Sequence, residues 1–131
     1  MSEPYVFQMP VRFADTDAQG HVYFANYLTF CDEALAGFMR ARGCPWQELV
    51  ESGVDMFYVS AKCDYRGSAK FEDVVHIEVS IGRIGNTSVT SAYVLKDAEG
   101  GDIAQAELTS VCVDVETRQP TRVPDRLRAL A

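Results

Sequence analysis

Between Phe13 and Tyr27 the chain reads Phe-Ala-Asp-Thr-Asp-Ala-Gln-Gly-His-Val-Tyr-Phe-Ala-Asn-Tyr. Two carboxylates (Asp15 and Asp17), a glycine (Gly20) and a histidine (His21) therefore stand just ahead of a segment with helical spacing. A helix start offers backbone N–H groups that lack intrahelical partners, together with the positive end of the peptide dipole. Such a place stabilises an oxyanion. A carboxylate a few residues upstream can approach the same carbon, with Gly20 letting the backbone bend tightly between them. The same spacing also suits a plainer role, in which Asp15 or Asp17 caps the helix.

Other chemistries lack their residues. The chain contains no G-x-S-x-G, H-E-x-x-H, G-x-x-x-x-G-K-[ST] or G-x-G-x-x-G, which removes the motif-bearing serine hydrolases, zinc proteases, P-loop proteins and Rossmann enzymes. Only two histidines occur, His21 and His76, and His76 lies on the polar side of an alternating segment. Asp15 to Gly20 resembles the opening of a calcium loop, with candidate ligands at loop positions 1, 3 and 5 and glycine at 6, but Asn26 stands at position 12 where a bidentate Glu is needed. Cys31, Cys44, Cys63 and Cys112 form no C-x-x-C pair and read as small buried apolar residues. No metal and no cofactor is expected.

The elements that must position these residues are legible from periodicity. Tyr5 to Phe13 alternates, with Tyr5, Phe7, Met9, Val11 and Phe13 on one face, which predicts a first strand made irregular by Pro10. From about Tyr23 to Arg42, Phe24, Tyr27, Leu28, Cys31, Leu35 and Phe38 follow helical spacing, stopped by Gly43 and Pro45. A short helical turn over Trp46 to Glu51 is expected next. After Gly53 the chain reads as strands: Met56 to Asp64, a segment around Val75 to Ile81, Val89 to Leu95, and Ile103 to Val113. Turn chemistry separates them at Arg66-Gly67-Ser68, Gly85-Asn86 and Glu99-Gly100-Gly101. One strand, one long helix and four strands predict an α+β fold, an antiparallel sheet of about five strands with the helix against one face.

A length of 131 residues corresponds to a single domain, 1–131. At this size folding buries roughly 65–70% of the unfolded surface, enough for a core without disulfides. The net charge of −7 has the wrong sign for a nucleic-acid binder. No apolar run exceeds four residues and no signal-peptide pattern is present, so no membrane partner and a cytoplasmic location are expected. Arg118, Arg122, Arg126 and Arg128 crowd the last fourteen positions and read as a solvated tail, with a local anion site as the alternative.

The run D-x-D-x-x-G-x-V-x-(aromatic)-x-N-Y, from Asp15 to Tyr27, is similar to the signature of the hot-dog-fold acyl-CoA thioesterases, in the 4-hydroxybenzoyl-CoA and Tol-Pal-associated branch. The resemblance extends over nearly the whole chain. It implies that the sheet wraps the long helix, that Asp17 is the catalytic carboxylate, and that the backbone N–H of Phe24 donates to the oxyanion. His21, where the family often has an apolar residue, either assists a water or packs in the turn. The family's Tol-Pal-type enzymes carry histidine where this chain has Phe24, and the basic cluster of its benzoyl-type enzymes is missing from the hairpin Gly85-Asn86-Thr87-Ser88. A thioester suits so sparse a site, because a thiolate leaving group with a free pKa of roughly 8.5 needs little help from an acid.

The candidate substrate-binding set is Gly20, Tyr23, Asn26, Ser60, Lys62, Arg83 and Ser88, with Lys62, Arg66, Lys70 and Arg83 as candidate partners for the CoA phosphates. The resemblance further implies a homodimer or homotetramer whose sites lie between subunits, the strand around Val59-Ser60-Ala61-Lys62 completing the neighbour's pocket. The expected activity is hydrolysis of an acyl- or aroyl-CoA, CoA being part of the substrate. Three alternatives stand beside it: an acyl carrier protein as thiol donor, a non-catalytic acyl-CoA-binding module, and a hydratase. The hydratase is disfavoured because Asp15 or Asp17 would have to pair with His21, too close in sequence.

Overall fold

The computed structural model describes residues 4–131. Strand β1 (Tyr5–Pro10) leads through a short 3-10 turn at Phe13–Asp15 to helix α1 (Asn26–Ala41) and helix α2 (Trp46–Glu51). Four strands follow, β2 (Val54–Tyr65), β3 (Val74–Ile84), β4 (Ser88–Lys96) and β5 (Asp102–Asp114), and the chain closes with the one-turn helix α3 (Asp125–Arg128). All five strands form one antiparallel sheet in the order β1-β3-β4-β5-β2. This is the α+β architecture expected from the order of elements. No described helix is long and apolar enough to cross a membrane.

Helix α1 buries Tyr27, Phe30, Cys31, Ala34, Leu35, Phe38 and Met39, the i, i+3, i+4 stripe of one face. The sheet meets it with Val75, Ile77 and Val79 of β3, Val89, Tyr93 and Leu95 of β4, and Ala106, Leu108 and Cys112 of β5. Removing a ring from this layer, as in Phe30→Ala, leaves a cavity that costs about 3–5 kcal/mol. Gly37 lets β1 approach α1 closely, since a Cβ there would stand 2.6 Å from the Tyr5 hydroxyl and 2.8 Å from the Phe7 ring.

Several elements end earlier than periodicity suggests. β1 stops at Pro10, not Phe13: the Val11 N–H turns to the Asp73 carbonyl at 2.8 Å, and Phe13, expected on the apolar face, is 75% exposed. α1 begins at Asn26, not Tyr23, because the Tyr23 N–H is drawn to the Asp15 carbonyl at 2.9 Å. The arginine-rich C-terminus is no solvated tail. Val123 and Leu127 are buried, Arg126 pairs with Glu48 at 2.9 Å, and Arg128 donates to the carbonyls of Val123 and Gly85, both at 3.0 Å. Cys31, Cys44 and Cys112 are buried as expected, and Cys63 is half-buried.

Candidate active site

The turn ahead of α1 is organised around Asp15. Its carboxylate accepts the Arg12 backbone N–H at 2.9 Å, Arg12 Nε at 3.1 Å and Arg12 Nη2 at 2.8 Å. These hydrogen bonds to Arg12 hold the Asp15 carboxyl below the ordinary carboxylate range. The Asp15 carbonyl accepts the Tyr23 N–H at 2.9 Å and Asn26 Nδ2 at 3.0 Å. Asp15 therefore ties the end of the 3-10 turn to the start of α1, and Asn26 is one of the two clasps.

Asp17 opens the loop that lies between those fixed points. An isolated antiparallel bridge joins Thr16 to Val22, the Asp17 N–H donates to the His21 carbonyl at 3.0 Å, and the Gly20 N–H returns to the Asp17 carbonyl at 3.0 Å. Gly20 has φ 85°, the left-handed region that glycine reaches without a Cβ clash, so the turn is as tight as expected. Asp17 Oδ1 accepts the Gln19 N–H at 2.8 Å, and Oδ2 has no hydrogen-bond partner among the described residues. His21 places Nδ1 3.1 Å from the Val22 carbonyl, a hydrogen bond that requires the proton on Nδ1.

Neither aspartate caps α1. The N-cap position is Ala25, which supplies no side-chain hydrogen bond. No acceptor among the described residues takes the Phe24 N–H, while the Phe24 carbonyl is held by the Tyr65 hydroxyl at 2.9 Å. The rings around this peptide pack against one another: Tyr23 on Phe24 at 5.0 Å, Phe24 on Tyr65 at 6.1 Å, and Tyr27 on Tyr65 at 5.8 Å between centroids. Burial pushes the Tyr65 phenol up to about 12, which keeps it a neutral donor. Ala69 then stitches the site to the β2–β3 loop, its carbonyl accepting the Val22 N–H at 2.9 Å and its N–H donating to the buried Tyr27 hydroxyl at 3.0 Å.

Asp17, Gly20, His21, Tyr23, Phe24 and Asn26 thus share one short loop and helix start. The remaining candidates are spread along the sheet. Ser60 and Lys62 lie on the sheet face turned away from α1, opposite Thr109 and Glu107 of β5, and Lys62 pairs loosely with Asp64 at 3.9 Å. Arg83 and Ser88 sit at the β3–β4 hairpin. Arg83 lies nine positions along β3 from Val74, the end near the site, which is roughly 30 Å at strand rise. One chain does not bring them to Asp17. Arg66 and Lys70 are carried by the loop that Ala69 fastens to the site.

Tyr65 and Ala69 were not legible as site residues. Tyr65 ends an aromatic-rich strand and reaches Phe24 across 41 residues, a contact that no local spacing announces. Among the described residues no group of three or more His, Cys, Asp or Glu could hold a metal ion.

Residues 11–130 match the sequence profile of the Thioesterase-like superfamily. A 1,4-dihydroxy-2-naphthoyl-CoA hydrolase of Synechococcus elongatus is 32% identical over 126 residues, covering 95% of this chain and 92% of the relative. The acyl-CoA thioester hydrolase YbgC of Escherichia coli O157:H7 is 29% identical over 126 residues, covering 95% and 94%. Among solved structures, a gentisyl-coenzyme A thioesterase superposes with a TM-score of 0.85 at 28% identity over 95% of this chain and 99% of that one. A 1,4-dihydroxy-2-naphthoyl-CoA thioesterase from Synechocystis shares the fold at a TM-score of 0.89 and 22% identity, covering 98% and 95%. The sheet wrapped on α1, the uncapped helix start beside Asp17 and the match over almost the full length together place the chain in the Thioesterase-like superfamily, as a hot-dog-fold thioesterase.

Proposed function

We propose that the protein hydrolyses an acyl- or aroyl-CoA thioester to the free acid and CoA, with Asp17 as the attacking or proton-removing carboxylate and the Phe24 N–H as the oxyanion donor. One observation carries this reading. A carboxylate oxygen and a backbone N–H, neither with a partner among the described residues, are held on the same short loop, whose two ends are clasped by the Asp15 carbonyl. In the nucleophilic route Asp17 Oδ2 bonds to the thioester carbon, the carbonyl oxygen gains charge against the Phe24 N–H, and the C–S bond breaks to release thiolate. Water then cleaves the resulting anhydride, restoring Asp17 and giving the acid. In the general-base route Asp17 takes a proton from the attacking water, and that proton ends on the departing sulfur. Both routes use only groups of this chain and need no metal or cofactor. Gly20 and Tyr23 shape the loop, Asn26 fixes its distance from the helix, and His21 borders the same opening.

The assembly proposed is a homodimer or homotetramer. β2 is an edge strand of twelve residues with Phe57 and Val59 exposed, the kind of edge that pairs with another chain. A second copy is also what would carry Ser60, Lys62, Arg83 and Ser88 to an Asp17 they do not reach within their own chain.

A thiol-release assay over a panel of acyl- and aroyl-CoAs tests the activity. Turnover is expected with at least one class. Binding without release at every member points to a non-catalytic module, and large gains with an acylated carrier protein point to the carrier as thiol donor.

A further inference from the structure

The helix-facing side of β2 changes character along its length. At one end Tyr65 packs on Phe24 and Tyr27. The next helix-facing positions are small, Cys63 opposite Ala106 and Ala61 opposite Leu108. A bulge between Tyr58 and Ser60 then returns Tyr58 to the helix side, opposite Ser110, where its hydroxyl donates to Asp32 Oδ1 at 2.7 Å. This hydrogen bond spans the groove between α1 and β2. Asp32 and Tyr58, with Ser110, form the polar side of a cavity of ≈ 100 Å³ whose remaining wall is Leu35, Ala36, Met39, Trp46 and Met56. Trp46 is fixed there by its Nε1 donating to Asp55 Oδ1 at 2.9 Å.

We infer that the Tyr58–Asp32 pair is a gate in the acyl-binding groove, and that the cavity it borders receives the far end of a linear, medium-length acyl chain. The inference rests on the proposed placement of the thioester carbonyl at the Phe24 N–H. From there the small residues Cys63 and Ala61 occupy the helix-facing positions of β2 that lead to Tyr58. Asp32 lies eight residues beyond Phe24, on α1 and the turn that leads into it, about 12 Å at helical rise. With carbon–carbon bonds of ~1.5 Å, an extended chain advances about 1.3 Å per carbon and meets the gate after about nine carbons. A shorter chain ends before Tyr58 and leaves the hydrogen bond intact. A longer one must part Tyr58 from Asp32, after which leucine, alanine, tryptophan and two flexible methionines receive it. The cavity is small, so the longest chains overfill it.

The test is the chain-length profile of kcat/KM for saturated acyl-CoAs from four to sixteen carbons, measured on the full chain, on Tyr58→Phe and on Ala36→Leu, with thermal melting of each. The wild-type profile is expected to step down about tenfold once chains must break a hydrogen bond to a carboxylate, near ten carbons, and to fall away by sixteen. Tyr58→Phe removes the step, raising ten- and twelve-carbon substrates about tenfold while leaving four- and six-carbon ones within about twofold. Ala36→Leu narrows the cavity, lowering the twelve-carbon rate and sparing the four-carbon one. Hydrolysis of short chains with profiles that the two variants leave unchanged, or shift equally at every length, overturns the gate alone. No thiol release at any length overturns the hydrolase reading and the gate with it.

Discussion

Tyr65 donates its phenolic hydrogen to the carbonyl of Phe24 at 2.9 Å, so the residue whose N–H faces the proposed oxyanion position is held from the sheet, through the peptide that follows it, by the last residue of β2. Pinning that carbonyl fixes the Phe24–Ala25 peptide and so limits how Phe24 can turn, without consuming the Phe24 N–H. Tyr65→Phe keeps the ring contacts with Phe24 and Tyr27 and removes only the hydrogen bond. The expected result is a fall in kcat of roughly three- to tenfold with KM little changed, because misorientation costs most when charge develops. Thermal melting should move by less than about 1 kcal/mol of stability. An unchanged kcat would show that Tyr65 does not position the site.

Asp15 is the structural partner of the pair and Asp17 the one proposed to do the chemistry, and the stability contributed by Asp15 should depend on pH. The Arg12 hydrogen bonds depress the Asp15 carboxyl in the folded state, so its contribution to stability is fully present above the unfolded value near ~4 and is lost as pH falls through the lower folded value. Asp15→Asn should therefore destabilise the protein by about 2 kcal/mol at neutral pH. Denaturant melts repeated towards pH ~3 should find the gap between wild type and variant closing. A gap that stays constant with pH would mean that the Arg12–Asp15 pair contributes through shape alone.

The β2 edge predicts association. Sedimentation at micromolar concentration is expected to show no species of 14.5 kDa. Val59, 63% exposed at the bulge of that edge, is the position to perturb. Val59→Asp should shift the population towards monomer and lower thiol release in proportion. A monomer with full activity would remove the intersubunit site.

CoA recognition is expected to depend on cations that hold phosphate equally in the ground and transition states. Replacing Arg83, Lys62, Arg66 or Lys70 by alanine should, at the position that matters, raise KM for acyl-CoA by roughly tenfold and flatten its salt dependence while kcat holds. A truncated thioester lacking the nucleotide should not respond. If all four replacements together leave KM unchanged, the phosphates are held elsewhere.

Much of this molecule is legible from local pattern, and the reason is visible residue by residue. The buried stripe of α1 is set by helical periodicity, and the sheet residues Val75, Ile77 and Val79 by alternation, so the layers follow from sequence. The Asp17–Gly20 turn is likewise local, because glycine at φ 85° closes it. What escapes is decided by distant partners. Asp73 ends β1 early by taking the Val11 N–H, and the Asp15 carbonyl delays α1 by taking the Tyr23 N–H. Arg126 and Arg128 read as solvated charges until Glu48 and the Gly85 carbonyl are found beside them. Tyr65 and Ala69 belong to the site only because β2 and the β2–β3 loop fold over it. The positions of Arg83 and Ser88 relative to Asp17 depend on strand order, which alternation alone does not specify.

The claim on which the rest depends is that Asp17 performs the chemistry. Asp17→Asn is nearly isosteric and keeps an oxygen able to accept the Gln19 N–H, so the turn should fold as before. Thiol release from the best acyl-CoA of the panel is the measurement, with thermal melting and ligand affinity recorded on the same sample. The account predicts a kcat lower by at least about a hundredfold with melting and affinity nearly unchanged. Wild-type turnover in Asp17→Asn, or loss of turnover in Asp15→Asn without loss of its fold while Asp17→Asn stays active, would contradict it.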